Sequence, residues 1–243
     1  NDLSNQGQGA PLTPIFHKLI SRLISSKYEI NYPVNIINIG GITNITSILD
    51  DKDVISNNLY ASDIGPGNCM IDEWIRKNTK KKFDENGNTA KSGKVDELIL
   101  NQAKENFTIK NFNKSLDISD FDLSFVRGLS VEDGSATITN FTAYLIAQGI
   151  NHVANITKSN NGTYLICGGG RKNDYLVDSI NDYLTDKKIK LKDIDKFNFD
   201  GDFIESQTFG YLAIRSFIGL PISFPETTRC LTPTNCGVLN ENF

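Results

Sequence analysis

The sequence is poor in the residues that build metal centres and disulfide frameworks. Its 243 residues include two histidines and four cysteines, and no two cysteines form a Cys-x-x-Cys pair. Because structural zinc sites need about four closely spaced ligands of these types, no metal site is predicted. The scattered cysteines are typical of reduced thiols, so we expect a cytoplasmic protein.

Long apolar runs and strong net charge are also absent. No apolar run approaches the roughly 20 residues of a membrane-spanning helix, and the polar start Asn1–Asn5 does not resemble a signal peptide. The net charge is −4, and the one basic run, Arg76–Lys82, is interrupted by Asn78 and Thr79. Such a run is typical of a solvated helix end. We therefore expect neither nucleic acid nor membrane as a partner.

The composition is that of a globular protein. Hydrophobic residues make up 39% of the chain and charged residues 22%. A chain of 243 residues can bury a core in one or two domains. Because it lacks an initiator methionine and begins on a motif, we expect a fragment of a longer protein.

A strand-rich stretch organises the centre of the chain. Strands are predicted at Val34–Ile37, Ile45–Leu49 and Val54–Ala61. A polar turn between the second and third strands favours antiparallel pairing. Between the first and second strands, Gly40-Gly41 would let backbone N–H groups approach an anion with no Cβ in the way. The alternative is an ordinary β-meander with glycine turns and a capped helix.

The third strand leads into a helix predicted from Asn68 to about Asn78. The N-terminus of this helix faces the loop Gly65–Gly67, and its dipole would favour an anion there. Asp63, at the predicted end of the strand, could hold a hydroxyl group or a metal-bound water. The loop and helix together predict a polar ligand site.

A second glycine-rich loop follows the predicted strand Tyr164–Cys167. The loop, Gly168–Gly170, leads into a helix that runs to about Leu184. It matches neither the phosphate-loop pattern GxxxxGK[ST] nor the dinucleotide pattern GxGxxG. Three successive glycines after a strand would let a flat ligand lie directly on the backbone.

Two segments far apart in sequence carry carboxylates suited to catalysis or binding. Asp2 precedes the loop Gln8–Leu12, and a carboxylate can take a proton from water, although a terminal residue could equally be frayed. Asp202 and Glu205 open the last clear helix, where they could form a capping box. The buried stripe predicted for this helix comprises Tyr211, Ile214 and Ile218.

The motifs NIGGITN (38–44) and SDIGPGNCMIDEW (62–74) resemble those of the anhydro-N-acetylmuramic acid kinases, within the actin, sugar-kinase and Hsp70 superfamily. The loop around QGAPL, the triple glycine and the segment GDFIE match the same family in the same order. The resemblance extends from about residue 2 to about residue 237. The family's first phosphate loop, with sequence like GTSxDGxD, is not found in these residues.

The resemblance implies an α/β fold, the RNase H-like lobe of the actin-like ATPase type, with the N-terminal lobe largely missing. Residues 1–27 would be a remnant of the N-terminal lobe that carries the catalytic loop and a linking helix. Residues 28–243 would form the C-terminal lobe, with an insertion at about 80–130.

The resemblance also implies an ATP-dependent kinase that converts 1,6-anhydro-N-acetylmuramic acid to N-acetylmuramic acid 6-phosphate in peptidoglycan recycling. ATP and Mg²⁺ would be its cofactors. The residues implicated are Asp2 as the catalytic base; Asn38, Gly40, Gly41, Asn44, Gly168, Gly169, Gly170 and Asn173 at the nucleotide and its phosphates; and Glu205, Asp63 and Asn68 at the sugar.

Several alternatives stay open. Without the first phosphate loop, the chain alone could be a weak or inactive lobe that binds nucleotide or sugar, and its partner could be a second copy or a separate N-terminal half. Thr137 could line the nucleotide site or bond to its own helix. Lys114 could contact sugar or phosphate or be merely exposed. The segment Ser223–Gly237 resembles the family's C-terminal SFPxTT segment, which implies a surface loop that can serve subunit packing.

Overall fold

The structure is a computed structural model that describes residues 1–52, 58–107, 109, 112, 115–186 and 188–238. Its helices are α1 (Pro14–Ser25), α2 (Cys69–Asn78), α3 (Asn88–Ser92), α4 (Glu97–Asn106), α5 (Val131–Thr157), α6 (Asp174–Tyr183), α7 (Ile204–Phe217) and α8 (Pro225–Thr228). Its strands are β1 (Val34–Ile39), β2 (Ile42–Ile48), β3 (Leu59–Pro66), β4 (Thr163–Cys167) and β5 (Leu191–Asp193).

The five strands form one sheet in the order β3-β2-β1-β4-β5. The first three are antiparallel neighbours, and β4 and β5 run parallel to β1. Parallel neighbours need a crossover connection, which α5 and α6 supply. The predicted succession of three strands and a helix, and later of a strand, a helix and a last helix, is confirmed, and the sheet order is that of the RNase H-like α/β fold.

The sheet is buried on both faces, which explains why four of the six residues of β1 are Val or Ile. Ile37 and Ile39 belong to the core on the face covered by α5, whereas Val34 and Ile36 belong to the core on the face covered by α1. Successive side chains of a strand point to opposite faces, so one strand serves both cores. No helix in the described ranges is both long and apolar enough to cross a membrane.

The strand ends differ from the prediction. The second strand begins at Ile42, and the third runs to Pro66, so Asp63 lies within a strand rather than in a loop after it. The reason is that pairing continues from Ile48 to Ile42, across a β-bulge at Thr43 and Asn44. The predicted start of the third strand, residues 54–57, lies outside the described residues.

The buried face of α7 also differs from the prediction. This helix buries Ile204, Thr208 and Leu212, whereas Ile214 and Ile218 are 61% and 58% exposed. Apolar residues occur on several sides of the helix, so hydrophobic spacing alone does not choose the buried face.

The first residues pack against the last described ones. Gln8 N–H donates to the Thr228 carbonyl at 2.8 Å, and Leu231 N–H donates to the Asn5 carbonyl at 3.0 Å. Within the predicted insertion, Leu100 joins the same core as α5. The division of the chain at residue 27 stays a prediction.

Candidate active site

Asp2 lies in a buried pocket and is not frayed. Its side chain is 6% exposed. Gly9 N–H donates to Oδ2 at 2.7 Å, and the Thr228 hydroxyl donates to Oδ1 at 2.6 Å. A methyl group added at Gly7 would lie 2.2 Å from Oδ2, so the loop closes around the carboxylate only because this position is glycine. One carboxylate is thus held from two directions.

The first part of the segment Ser223–Gly237 supplies part of this pocket, so the prediction of a surface loop is wrong there, whereas residues 231–233 are exposed. Ser223 and Thr228 are fully buried there. Burial alone would raise the pKa of the Asp2 carboxyl, but hydrogen bonds from Thr228, Ser223, Gly9 and Cys230 outweigh it and hold the pKa below its ordinary value. Asp2 is therefore an anion at neutral pH. Sequence reasoning missed Thr228, whose only signal was its place in the family-like segment.

The turn between β1 and β2 caps helix α2. The Gly41 carbonyl accepts from Gly67 N–H at 2.8 Å and Cys69 N–H at 3.2 Å, and the Gly40 carbonyl accepts from Asn68 N–H at 2.7 Å. These N–H groups are therefore not free for an anion. The glycine turn thus takes up three N–H groups at the start of this helix, and anion binding by the helix start stays a prediction.

Packing requires glycine at neither position of this turn, Gly40 or Gly41. A methyl group added at Gly40 or Gly41 would find its nearest described neighbours at 3.5 Å (Ile42 O) and 3.9 Å (Ile118 Cδ1), which are ordinary contacts. Neither glycine has a positive φ, and Gly41 is exposed. Space therefore lies beside the turn, where a ligand could approach the backbone.

The triple-glycine loop is pressed against the end of β1. Gly168 has φ +79°, and a methyl group there would lie 2.3 Å from Asn38 Oδ1. A methyl group at Gly170 would lie 2.2 Å from Ile39 Cγ2. The first and third glycines are thus needed for close approach of the loop to the strand. Asn38 lies behind the loop rather than in front of it.

The middle glycine opens onto a cavity of about 450 Å³. A methyl group added at Gly169 would have a single described neighbour within 4 Å, Asn68 Nδ2 at 3.8 Å. Asn68 and Asn173 also line the cavity. The Asn173 side chain caps α6 by accepting from Leu176 N–H at 3.0 Å. The structure thus brings Asn68, predicted at the sugar, beside Gly169, predicted at the nucleotide.

The cavity wall also has apolar and charged side chains, of which sequence reasoning singled out only Asp202, as a helix cap. Ile71 and Phe83 supply apolar surface, while Asp72, Lys172 and Asp202 supply charge. Burial raises the pKa of Asp72 to about 6. A concave surface with a few polar groups is the usual form of a small-molecule site.

Asp63 lies in a third group of candidate residues. Its Oδ2 accepts from Leu116 N–H at 2.9 Å; burial raises the pKa of this carboxyl and the hydrogen bond opposes the rise. Asn44 pairs with Asp63 across the strands, and its buried Oδ1 has no hydrogen-bond partner among the described residues. The neighbouring Ser115 hydroxyl donates to Gln8 Oε1 at 3.3 Å, which joins this group to the loop that holds Asp2.

Glu205 is exposed in the first turn of α7. The capping box is not formed: the N-cap residue is Phe203, with no side-chain capping bond. Asp202 instead binds Arg171 Nη1 at 2.5 Å and the Lys172 ammonium group. Glu205 is not brought into the cavity beside Gly169, and its place at a sugar stays a prediction.

Three further questions from the sequence concern Thr137, Lys114 and a metal site. The Thr137 hydroxyl donates to the Asp133 carbonyl of its own helix at 2.8 Å and accepts from Asp96 N–H, at the start of α4, at 3.0 Å. Lys114 lies outside the described residues. In the described part of the chain, no group of three or more His, Cys, Asp or Glu side chains is arranged to hold a metal ion.

Comparison with known sequences gives one family. A sequence model described as anhydro-N-acetylmuramic acid kinase matches residues 1–241. Curated proteins of that name are 49% identical over 245 residues in Pelagibacter ubique (strain HTCC1062) and 35% identical over 240 residues in Agrobacterium fabrum. These alignments cover 100% and 98% of this chain but 63% and 61% of the relatives. The chain thus spans less than two-thirds of their length.

Similarity to solved structures is weaker. The activator of 2-hydroxyisocaproyl-CoA dehydratase from Clostridium difficile with bound ADPNP matches at a TM-score of 0.43 and 12% identity, over 79% of this chain and 63% of that chain. Ligand-bound xylulose kinase from Lactobacillus acidophilus matches at 0.43 and 10% identity, over 80% of this chain and 42% of that chain. We therefore assign the fold from the order of the strands in the sheet of this chain, not from these matches.

Proposed function

Because this chain belongs to the anhydro-N-acetylmuramic acid kinase family, we propose that it supplies the catalytic carboxylate and the nucleotide cavity of an ATP-dependent kinase. The reaction converts 1,6-anhydro-N-acetylmuramic acid, water and ATP to N-acetylmuramic acid 6-phosphate and ADP. The observation that carries the proposal is the buried Asp2 carboxylate, fixed by Gly9 and Thr228. A role in peptidoglycan recycling and a cytoplasmic location remain predictions.

In this proposal Asp2 acts on water. The water oxygen bonds to the anomeric carbon while its proton passes to Asp2. The bond from that carbon to the bridge oxygen breaks, and the bridge oxygen attacks the γ-phosphorus of ATP as ADP leaves. The low pKa of Asp2 keeps it unprotonated but weakens it as a base. We therefore assign most of its contribution to orienting the water.

The nucleotide is assigned to the glycine-lined surfaces. The cavity beside Gly169 offers apolar wall and open backbone for the adenosine. The uncrowded Gly40-Gly41 turn is assigned to the phosphates. Asp63, Asn44 and Glu205 are assigned to the sugar, the first two because they form a polar pair joined to the Asp2 loop through residues 115–116.

Magnesium is the ion expected with ATP, and in kinases one or two carboxylates hold it together with the nucleotide phosphates. The described residues do not form a metal cluster by themselves. No metal ligand is therefore assigned among the described residues.

A second candidate function is favoured by the length of the chain. Because it spans 63% and 61% of the two relatives, it could bind nucleotide as one lobe and turn over only together with the remaining part. A second copy or a separate N-terminal half as partner remains a prediction.

Mass spectrometry tests the proposal directly. The 243-residue chain is incubated with Mg-ATP and 1,6-anhydro-N-acetylmuramic acid, and the sugar product is examined for the gain of both a phosphoryl group and a water. We expect this product with the wild type and with Asp51→Asn, an exposed control, but not with Asp2→Asn. Product from Asp2→Asn at the wild-type rate would refute the role of Asp2. No product together with tight ATP binding would favour the second candidate.

A further inference from the structure

Arg171 follows the triple glycine directly, yet its side chain is buried. The residue is 5% exposed. Its guanidinium group lies within ion-pair distance of four carboxylates: Asp202 at 2.5 Å, Asp195 at 2.9 Å, Asp193 at 3.3 Å and Asp200 at 4.0 Å. The planar fork of arginine suits several acceptors at once.

The Arg171 side chain also contacts the backbone of two segments, at Gly168 and at Gly201. Nη1 donates to the Gly168 carbonyl at 3.1 Å. On the other side, a methyl group added at Gly201 would lie 2.5 Å from Nε, so this glycine rests against the guanidinium group. Gly201 N–H donates to Asp195 Oδ1 at 2.7 Å, and the Gly201 carbonyl accepts from Gly168 N–H at 3.1 Å. The glycine loop and the turn at Gly201 are thus tied through Arg171.

The turn at Gly201 is followed closely by Asp202 and Glu205, two of the candidate site residues. Asp202 lines the cavity together with Lys172, to which it is ion-paired. Glu205 follows in the first turn of α7. We propose that Arg171 is a positioning residue that joins the glycine loop to the segment beginning α7, so that the two sides of the site are placed together. The inference rests on the proposed function only for the identity of the ligands.

Charge explains why one side chain has this effect. Without the guanidinium group, several carboxylates would face one another with little compensation, and the segments that carry them would separate. A lysine at position 171 would keep the charge but lose the fork that reaches Gly168, Asp195 and Asp202 together.

Hydrogen exchange measured by mass spectrometry tests the proposal on the full 243-residue chain, with and without the ATP analogue AMP-PNP. The variants are Arg171→Lys and Asp202→Asn, with Asp178→Asn, an exposed aspartate of α6, as the matched control. Without ligand, we expect exchange at 168–173 and at 200–206 to rise together, by about tenfold in Arg171→Lys, since a charge-assisted hydrogen bond of this kind is lost. Exchange in β1 should not change.

Adding AMP-PNP distinguishes a positioning role of Arg171 from a purely stabilising one. In the wild type, AMP-PNP should protect both segments. In Arg171→Lys, it should protect only 168–173 and bind about tenfold more weakly, while Asp178→Asn behaves as the wild type. A rise confined to one segment, or protection of both segments in Arg171→Lys, would overturn the inference. If the wild type does not bind AMP-PNP, the nucleotide part of the proposed function fails, and exchange without ligand still decides the role of Arg171.

Discussion

The pocket of Asp2 and the loop at Gly168–Arg171 are both pinned in place, but by different chemistry. Asp2 is held by uncharged donors, and its partner Thr228 is 226 positions away in sequence. The glycine loop is held by an ion network in which Arg171 and its partner Asp202 are 31 positions apart. The first arrangement orients one carboxylate, whereas the second fixes a stretch of backbone.

The carboxylates of the two regions show what the difference means. Burial favours the protonated form of both Asp2 and Asp72. At Asp2 several donors reverse this effect and the pKa is lowered, whereas at Asp72 burial prevails over Arg76 and raises the pKa to about 6. Donors that point at a carboxylate, rather than its depth, therefore decide whether its pKa lies below or above the ordinary value.

The largest effect is expected from crowding the glycine loop. Gly168→Ala should lower the free energy of unfolding by about 3 kcal/mol, because it combines a positive φ with a contact of 2.3 Å to Asn38. Gly169→Ala should change it by less than about 0.5 kcal/mol. Urea denaturation of both variants measures the contrast. Equal losses would show that the loop is not pressed against β1 as described.

On the Asp2 side, Thr228→Val keeps the shape of the side chain but removes its hydroxyl. We expect a loss of about 2 kcal/mol of stability, because a buried carboxylate loses a donor, and a rise in the pKa of Asp2. Repeating the substitution in the Asp2→Asn background gives a double-mutant cycle for the pair. A coupling energy near zero would mean that the hydroxyl does not hold the carboxylate.

A smaller effect, of opposite sign, is expected at Asp72. Since its folded pKa, about 6, lies above the ordinary 3.8, its contribution to stability is present below pH 3.8 and is lost as the pH rises through 6. Asp72→Asn should remove this loss and stabilise the protein at pH 8 by about 1 kcal/mol. Denaturation curves at pH 4 and pH 8 test this. A destabilisation at pH 8 would contradict the burial of the carboxyl.

The comparison also shows what the sequence can and cannot predict. Four of the five described strands followed from apolar runs and turns, and the glycine loop from a local pattern. Thr228 could not be found, because its contact with Asp2 joins distant segments without a local signal. A capped helix was one of two interpretations for α2, but the sequence could not show that the backbone carbonyls of Gly40 and Gly41 form the cap, since backbone groups leave no trace in the side-chain pattern. In α7, apolar residues on several sides hid the buried face.

We propose that the middle glycine of the loop, Gly169, faces the nucleotide, whereas Gly168 and Gly170 pack against the protein. Calorimetric titration of AMP-PNP into Gly169→Ala is the decisive measurement. The matched control is Gly210→Ala, a helical position where an added methyl group meets no described atom within 4 Å. We expect at least about tenfold weaker binding for Gly169→Ala at unchanged stability, and wild-type binding for Gly210→Ala. Equal binding by the two variants would place the nucleotide elsewhere.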